Sequence, residues 1–289
     1  MPTSLEALLE LLDLEPLEVN LFRGLSPETP HQRVFGGQVA AQALVAAGRT
    51  VADDRCVHSL HSYFLRPGDP TIPIVYEVDR IRDGRSFTTR RVIAIQHGAA
   101  IFNLAASFQI DESGPDHQMA MPDVPDPDEL PSMRERIDAQ RDRFSAGALE
   151  WLERTTPIET RHVEDPQWFA REKREPEQDQ WFRTTAPMPD DPLLHACVVA
   201  YASDLSLIDT ATLPHALGYD GGVMTASLDH AMWFHRPFRA DEWLLYHQKS
   251  PSASGARGLA EGYVFRRDGA LAVTVIQEGL IRPIRREHP

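Results

Sequence analysis

Apolar residues along the chain form strand-length runs separated by short polar turns, and each set of runs follows an alanine-rich stretch of helical length. The hairpin-like spacing of the runs is typical of antiparallel strands. The helical stretches cover residues 39–47 and 193–203. The pattern therefore predicts an α+β protein in which a long antiparallel sheet wraps around one central helix in each half. The predicted strands are residues 57–65, 74–80, 87–96 and 101–110 in the first half and 225–236, 243–249, 258–267 and 271–281 in the second.

Short motifs recur in the same order in the two halves. The segment Phe64-Leu65-Arg66-Pro67 is echoed by Phe234-His235-Arg236-Pro237. Each half also ends in an apolar strand that closes with a glutamine, Gln109 in the first and Gln277 in the second. Two such copies indicate an internal duplication. Equally spaced glycine pairs precede those last strands: Gly84 and Gly98, then Gly255 and Gly269.

The segment from about residue 111 to 192 differs in character from both halves. It interleaves acidic residues with prolines, as in the run at 122–128, and such proline density suits neither a continuous helix nor a central strand. Within it, residues 132–152 have helical character, and residues 167–169 and 180–182 look like short apolar strands. We therefore expect three parts: an N-terminal half of helix and antiparallel strands (1–110), a connector rich in proline and acid (111–192) and a C-terminal half of the same kind (193–289).

Length and charge narrow the class of function. With 289 residues, the chain is long enough for two domains or one duplicated domain. Its net charge of -14 argues against a protein whose whole surface binds nucleic acid, whereas an anionic small ligand needs only a local basic pocket. Charges interrupt every apolar run before it reaches the length of a membrane span. Residues 1–12 lack the features of a secretory signal, so we expect a cytoplasmic protein with no membrane span.

Several familiar kinds of site are missing from the sequence. It has no His-Glu-x-x-His motif and no cysteine pair at zinc-binding spacing, so we expect no metal and no cofactor. It also lacks the Gly-x-Ser-x-Gly elbow of α/β-hydrolases and the glycine-rich phosphate loop. The two cysteines, Cys56 and Cys197, lie in apolar surroundings, which favours buried free thiols over a disulfide or a catalytic role.

A set of short segments, in a fixed order from about Leu5 to Ile281, carries a family resemblance. The segments are Leu-Phe-Arg-Gly at 21–24, Val-Phe-Gly-Gly-Gln-Val at 34–39, the run at 58–69, Tyr-Ala-Ser-Asp-Leu at 201–205, the run at 229–238 and Gln-Glu-Gly at 277–279. Together they resemble the TesB-like acyl-CoA thioesterase II family of bacterial and peroxisomal enzymes. The resemblance implies a double-hotdog fold, in which the two antiparallel sheets join into one continuous sheet.

The resemblance also implies a catalytic trio of Asp, Thr or Ser, and Gln that holds and activates a water molecule. Asp204, Ser227 and Gln277 match these positions, with Ser227 standing where well-known bacterial members carry Thr. The residue pattern lends separate support to two of them. Asp204 lies on or beside the apolar stripe of the predicted helix, where an unpaired carboxylate is costly. Gln277 shares a strand face with Val273 and Val275, while Ser227 carries little signal of its own.

From these roles we expect hydrolysis of a fatty acyl-CoA to free acid and CoA by direct attack of water, with Asp204 as the general base. The Gly36-Gly37 pair before the first helix offers backbone N–H groups to the thioester oxygen. His58 is a further candidate, either as a donor or as support for the site. The expected partner is the acyl-CoA substrate, and the resemblance implies a dimer or tetramer of this chain.

Two other functions stay open at this point. An enoyl-thioester hydratase or dehydratase with the same fold would act on an acyl thioester through a His/Asp or His/Glu pair. A non-catalytic acyl-CoA sensor would bind the same ligand without releasing thiol. Product analysis separates these functions, because only hydrolysis releases a free thiol.

Overall fold

The computed structural model describes residues 1–27, 32–167, 169, 172–217 and 223–284, apart from the side chains of residues 151 and 283. The α-helices in this part of the chain are α1 (Leu5–Leu12), α2 (Gly36–Gly48), α3 (Met133–Ala139), α4 (Ala146–Leu152) and α5 (Pro192–Ser203), and 3₁₀ helices cover Pro127–Glu129, Arg141–Arg143 and Leu207–His215. The strands are β1 (Glu15–Glu18), β2 (Leu21–Gly24), β3 (Arg55–Phe64), β4 (Ile74–Asp83), β5 (Phe87–Gln96), β6 (Ala99–Ile110), β7 (Ile158–His162), β8 (Glu177–Thr184), β9 (Val223–Ser227), β10 (Asp229–Phe234), β11 (Leu244–Ser254), β12 (Arg257–Arg266) and β13 (Leu271–Pro283).

All of these strands belong to one antiparallel sheet. The strand order is β1-β2-β4-β5-β6-β3-β10-β13-β12-β11-β8-β7, and β9 pairs with β13 beside this path. Strands β3 and β10 join the two halves, from the pair Tyr63 and Asp229 to the pair Ser59 and Trp233. The order β2-β4-β5-β6-β3 in the first half is matched by β8-β11-β12-β13-β10 in the second. The predicted double-hotdog architecture is confirmed.

The strand predictions differ from the structure at two places. The run predicted at 225–236 divides at Leu228, whose backbone N–H donates to the Glu278 carbonyl, so that β9 and β10 are separate strands. Strands β7 and β8 lie within residues 111–192, which the sequence pattern assigns to a connector. Both pair with the second half of the sheet, so the structural repeat starts at Ile158 and not at residue 193.

The rest of the connector covers the outer face of the second half. Its side chains Met121, Val124 and Leu130 pack against a buried cluster that includes Trp181 and Trp243. The helix expected over 132–152 is divided into α3, a 3₁₀ turn and α4. Residues 167 and 169 form turns and not the expected strand, and residue 168 lies outside the described residues.

The two central helices pack against each other in antiparallel orientation. At one end, a Cβ at Gly37 would stand 2.6 Å from the Tyr201 carbonyl oxygen of α5, and at the other end a Cβ at Gly48 would stand 2.3 Å from Leu193. Alanine and glycine in α2 allow this close approach. Almost every residue of α2 and the last nine residues of α5 are buried. The arrangement brings the start of α2 to the end of α5.

Two sequence-based predictions about burial need comment. Cys197 is buried as expected, whereas Cys56 is exposed, because it lies on the open face of β3. The stretch Pro192–His215, of 24 residues, contains an 18-residue window with a mean hydropathy of 1.3, so it is long and apolar enough to cross a membrane. In this fold 72% of that window is buried inside the protein, as expected for a central helix. The absence of a membrane span stays a prediction.

The helix contact at Gly48 can be tested by adding one methyl group. We expect Gly48→Ala to lower the free energy of unfolding by about 1 kcal/mol, because the new Cβ would stand 2.3 Å from the partly buried Leu193 side chain, which must move. Gly147→Ala in α4 is the matched control. No heavy atom lies within 4 Å of its added Cβ, so it should stabilise the chain by up to about 1 kcal/mol through helix propensity. Urea denaturation of both variants measures the difference; equal stability of the two would contradict the packing.

Candidate active site

Asp204 lies where the ends of the two central helices meet. Helix α5 begins at Pro192 with Asp191 as its N-cap, runs through a fully buried stretch and has Asp204 as its C-cap. The backbone N–H of Gly37, at the start of α2, donates a hydrogen bond to the Asp204 carboxyl group. The positive end of α2 therefore faces a carboxylate that belongs to the other half of the molecule.

The structure brings the three predicted catalytic residues together. The Ser227 hydroxyl donates to Asp204 Oδ1 at 3.1 Å, and Gln277 Nε2 donates to the same oxygen at 2.5 Å. Gln277 Nε2 also donates to Ser227 Oγ at 3.0 Å. The residues come from α5, β9 and β13, which the break at Leu228 and the pairing of β9 with β13 hold in register.

Burial and hydrogen bonding act on Asp204 in opposite directions. Burial of the carboxyl group raises its pKa from 3.8 to about 6, since the charged form is poorly solvated there. Hydrogen bonds from Gln277, Ser227 and Gly37 favour the charged form and limit this rise. Asp204 is therefore mostly ionised at neutral pH, with a pKa close enough to 7 to suit a general base.

The hydrogen-bond pattern distinguishes the two oxygens of Asp204. Oδ1 accepts from both Ser227 and Gln277. The Gln277 amide nitrogen donates one hydrogen to this oxygen and the other to Ser227 Oγ. Oδ2 lies next to Gly36, so close that a Cβ on that residue would stand 2.7 Å from it. Gln277 is fully buried, and its Oε1 has no hydrogen-bond partner among the described residues. Oδ2 is thus the oxygen that side-chain donors leave available.

A cleft of about 450 Å³ gives access to this site. Asp204, Ser227 and Gly36 lie in its wall, and the remainder is largely apolar, with two arginines, Arg33 and Arg66, among the lining residues. Both arginines are exposed and form no ion pair with the described residues. The cleft therefore combines a local cationic group with an apolar wall in a chain whose net charge is -14.

Two buried side chains that the sequence analysis did not identify hold the end of α5. The Tyr246 hydroxyl donates to the Ser203 carbonyl at 3.2 Å, and His230 Nε2 lies 2.9 Å from Ser203 Oγ. Ser203 Oγ itself donates to the Ala200 carbonyl, so the histidine donates to it. Burial lowers the pKa of His230 to about 4, which keeps the ring neutral. These contacts fix the residue directly before Asp204.

Of the three additional candidates, the structure places Gly36 and Gly37 at the site and His58 elsewhere. Gly37 donates to Asp204, so its N–H is not free for a thioester oxygen. Gly36 lines the cleft. His58 does not, because it points to the other side of β3, where its Nε2 lies 2.8 Å from Ser107 Oγ and its ring contacts Phe87. The structure therefore does not bring His58 to the cleft.

Among the described residues of the first half there is no second copy of the trio. Gln277 and Ala106 occupy equivalent positions, eight residues after the turn glycines Gly269 and Gly98. The repeated motifs of the two halves match Gln277 with Gln109, and the strand positions counted from the turn glycines correct this match. Opposite Ala106, on the neighbouring strand, lies Arg90.

Arg90 fills the space that corresponds to the site in the second half. Its side chain is 1% exposed, and its Nε donates to Thr50 Oγ1 at 2.8 Å, just beyond the end of α2. It also donates to Asp83 Oδ1 at 2.5 Å and to backbone carbonyls. The C-cap of α2 is Arg49, whereas the C-cap of α5 is Asp204, so the first half has no carboxylate at the position equivalent to Asp204.

The fold and the trio define a hotdog protein with a buried carboxylate site, and comparisons with known proteins identify its family. Residues 152–280 match the family model for acyl-CoA thioesterase, and residues 25–109 match the model for the acyl-CoA thioesterase N-terminal domain. The chain belongs to the acyl-CoA thioesterase family. Membership is consistent with the second half starting near β7, since the first of these matches begins at residue 152.

Full-length relatives support this assignment. The chain is 47% identical over 281 residues to acyl-coenzyme A thioesterase 8 of Mus musculus, covering 94% of this chain and 88% of the relative. It is 40% identical to acyl-CoA thioesterase 2 of Haemophilus influenzae, covering 98% and 99%. The crystal structure of acyl-CoA thioesterase II TesB2 from Mycobacterium marinum is 47% identical, with a TM-score of 0.79 and coverage of 96% and 98%. This chain is accordingly an acyl-CoA thioester hydrolase.

The contact between Gly36 and Asp204 provides a test of the site geometry. We expect Gly36→Ala to reduce kcat about 100-fold, because its Cβ would stand 2.7 Å from Asp204 Oδ2 and 2.9 Å from the Phe64 ring and so displace the carboxylate. Gly114→Ala, where no heavy atom lies within 4 Å of the added Cβ, is the control and should match the parent. Thiol release from acyl-CoA measures both; an unchanged kcat for Gly36→Ala would contradict the geometry.

Proposed function

We propose that Asp204 acts as the general base that activates water for hydrolysis of a fatty acyl-CoA. The water loses a proton to Asp204 and forms a bond to the thioester carbon. The C–S bond then breaks, the leaving sulfur takes the proton back from Asp204, and the products are the CoA thiol and the free acid. The single observation that carries this proposal is that the two oxygens of the Asp204 carboxylate have different surroundings. Oδ1 accepts from the Ser227 and Gln277 side chains, whereas Oδ2 lies beside Gly36 at the cleft and accepts from no side chain of the described residues.

Ser227 has the hydrogen-bonding capacity to position that water. Its hydroxyl donates to Asp204 and accepts from Gln277, which leaves one lone pair that can accept from a water in the cleft. A water that donates to Asp204 Oδ2 and to Ser227 Oγ directs a lone pair at the substrate. We assign Gln277 the role of anchoring the other two groups. Ser227 is a poor nucleophile here, because the Gln277 amide donates to the oxygen that would attack.

Gly36 is our candidate for binding the thioester oxygen. It opens α2, where backbone N–H groups have no partner within the helix, and it lines the cleft beside Asp204. Charge that develops on the oxygen during attack would be stabilised by such a donor and by the positive helix end. The Gly37 N–H donates to the Asp204 carboxylate instead.

An enoyl-thioester hydratase would need a histidine in the cleft beside the carboxylate. That chemistry uses a histidine with a carboxylate, and no histidine is among the described residues that line the cleft. His230 is buried behind it and bonded to Ser203.

We further propose that the protein is a cytoplasmic homo-oligomer of fatty acid metabolism. The molar mass in solution, measured by light scattering, is the direct test of its assembly.

The proposed base predicts a specific pH profile. Only ionised Asp204 accepts a proton, so kcat/KM should fall about tenfold per pH unit below pH 6 and level off above it, following the pKa of about 6. Asp204→Asn should reduce kcat by about 100- to 10,000-fold and lose this limb of the profile. Asp111→Asn, at an exposed carboxylate just after β6, is the control. Retention of the limb in Asp204→Asn would assign it to another group.

The ionised Asp204 carboxylate should lower the stability of the folded chain at neutral pH. Its pKa is raised from 3.8 to about 6 in the folded chain, so the folded form binds the proton more tightly, and stability falls as pH rises through this range. Asp204→Asn removes the charge and should raise the melting temperature at neutral pH relative to the parent, with a smaller difference below pH 4. Thermal unfolding followed by circular dichroism checks this. A less stable variant at neutral pH would contradict the burial of an ionised group.

A further inference from the structure

Two buried polar atoms beside the trio have no hydrogen-bond partner among the described residues. They are Oε1 of Gln277 and Nδ1 of His230, on side chains that are 0% and 1% exposed. In the hydrogen bonds of the site, both side chains use only their Nε2 atoms. Buried polar groups in folded proteins are nearly always hydrogen-bonded, so a partner for each of the two atoms is expected.

The sheet brings these two side chains to the same place. Met232 of β10 is paired with Val275 of β13, and His230 and Gln277 each lie two residues beyond that pair. All four side chains are buried, and side chains two residues apart on a strand share a face. His230 and Gln277 therefore lie side by side on the inner face of adjacent strands.

The strand ladder is irregular at this point. Residues 228–230 stand opposite residues 277–278, three against two, between the regular pairs on either side. A bulge of this kind disrupts the ladder locally and is frequent next to active sites, where it changes the direction of a side chain. His230 and Gln277 are thus neighbours across a break in the ladder.

Both unpartnered atoms can only accept a hydrogen bond. The His230 ring is neutral, because burial lowers its pKa to about 4. Its Nε2 donates to Ser203 Oγ, so its Nδ1 carries a lone pair and no hydrogen. Gln277 Oε1 is a carbonyl oxygen. Two neighbouring acceptors cannot bond to each other, whereas a buried water molecule has two O–H groups and can donate one to each.

We propose that a buried water molecule, distinct from the water that attacks the thioester, bridges His230 Nδ1 and Gln277 Oε1, and that His230 is thereby a positioning residue for the Gln277 amide. The bridge fixes the amide plane, so that Nε2 stays directed at Asp204 Oδ1 and Ser227 Oγ. The other ring nitrogen of His230 fixes Ser203, the residue before Asp204. This proposal rests on the proposed role of Asp204 as the base.

Two substitutions separate the two nitrogens of the ring. His230→Gln can keep a donor near the Nε2 position for Ser203 but has no acceptor at the Nδ1 position. His230→Asn keeps an amide oxygen near the Nδ1 position but does not reach Ser203, whose carbonyl Tyr246 still holds.

The kinetics of thiol release measure the effect of each substitution. We expect His230→Gln to lower kcat about tenfold with KM within about twofold, because a loosened Gln277 amide stabilises the charged form of Asp204 less. For the same reason, the acidic limb of kcat/KM should move to higher pH by up to about one unit. His230→Asn should keep kcat within about threefold of the parent and leave the limb in place.

His195→Gln is the matched control for the loss of a buried histidine. His195 is 2% exposed and lies near the start of α5, at the opposite end of the helix from Asp204. Its Nδ1 accepts from the Ala240 N–H and has no part in the site. The control should lower the melting temperature while kcat and the acidic limb stay at the parent values.

A crystal structure of the parent tests the water directly. We expect a water within hydrogen-bond distance of both His230 Nδ1 and Gln277 Oε1, and a direct contact of the two side chains or no water there would overturn the proposal. The positioning role is wrong if folded His230→Gln keeps the kcat and acidic limb of the parent. Should this variant not fold, the crystal structure decides. If the parent releases no thiol, or Asp204→Asn keeps the acidic limb, the proposed base fails, which is a separate result.

Discussion

The structure of this site depends on a carboxylate, Asp204, that stays ionised although it is partly buried. Loss of solvent raises the pKa of Asp204 to about 6, and three hydrogen bonds, from Gln277, Ser227 and Gly37, prevent a larger rise. Two of these donors belong to the second half of the chain and the third to the first half. The site therefore requires both halves, because neither supplies enough donors to keep the charged form in a buried place.

The antiparallel packing of the central helices explains how the two halves contribute. With α2 and α5 side by side in opposite directions, the end of α5, which carries Asp204, lies at the start of α2, whose Gly37 N–H donates to the carboxylate. A second such junction could exist at the other end of the helix pair, by the pseudo-symmetry of the duplication. There the chain has Arg90, buried and fully bonded to its own half. Duplication thus provided two equivalent places, of which one holds the Asp204 carboxylate and the other the buried Arg90 cation.

Residue patterns predict the framework better than they predict the site. The spacing of apolar runs and the repeated motifs establish the two central helices and most of the sheet. Strand β7 escapes prediction, and β8 is predicted only over residues 180–182, because proline and acidic residues surround both strands. The partner of β8 also lies far along the chain, in β11. Asp204 and Gln277 can be suspected from polar groups on buried faces. Ser227 depends on the resemblance, since a single hydroxyl on a strand has no distinctive pattern. The supports from Tyr246 and His230, and the displacement of His58 to the other face of β3, follow from three-dimensional packing that no local pattern encodes.

The central claim is that water, and no side chain, attacks the thioester. The most direct test is a single turnover with enzyme in excess in water enriched in oxygen-18, followed by mass spectrometry of the product acid and of the peptides that contain Asp204 and Ser227. The account predicts one labelled oxygen in the free acid, no label in Asp204 and no acyl group on Ser227 at any time during turnover. Label incorporated into Asp204, or an acyl ester trapped on Ser227, would contradict it.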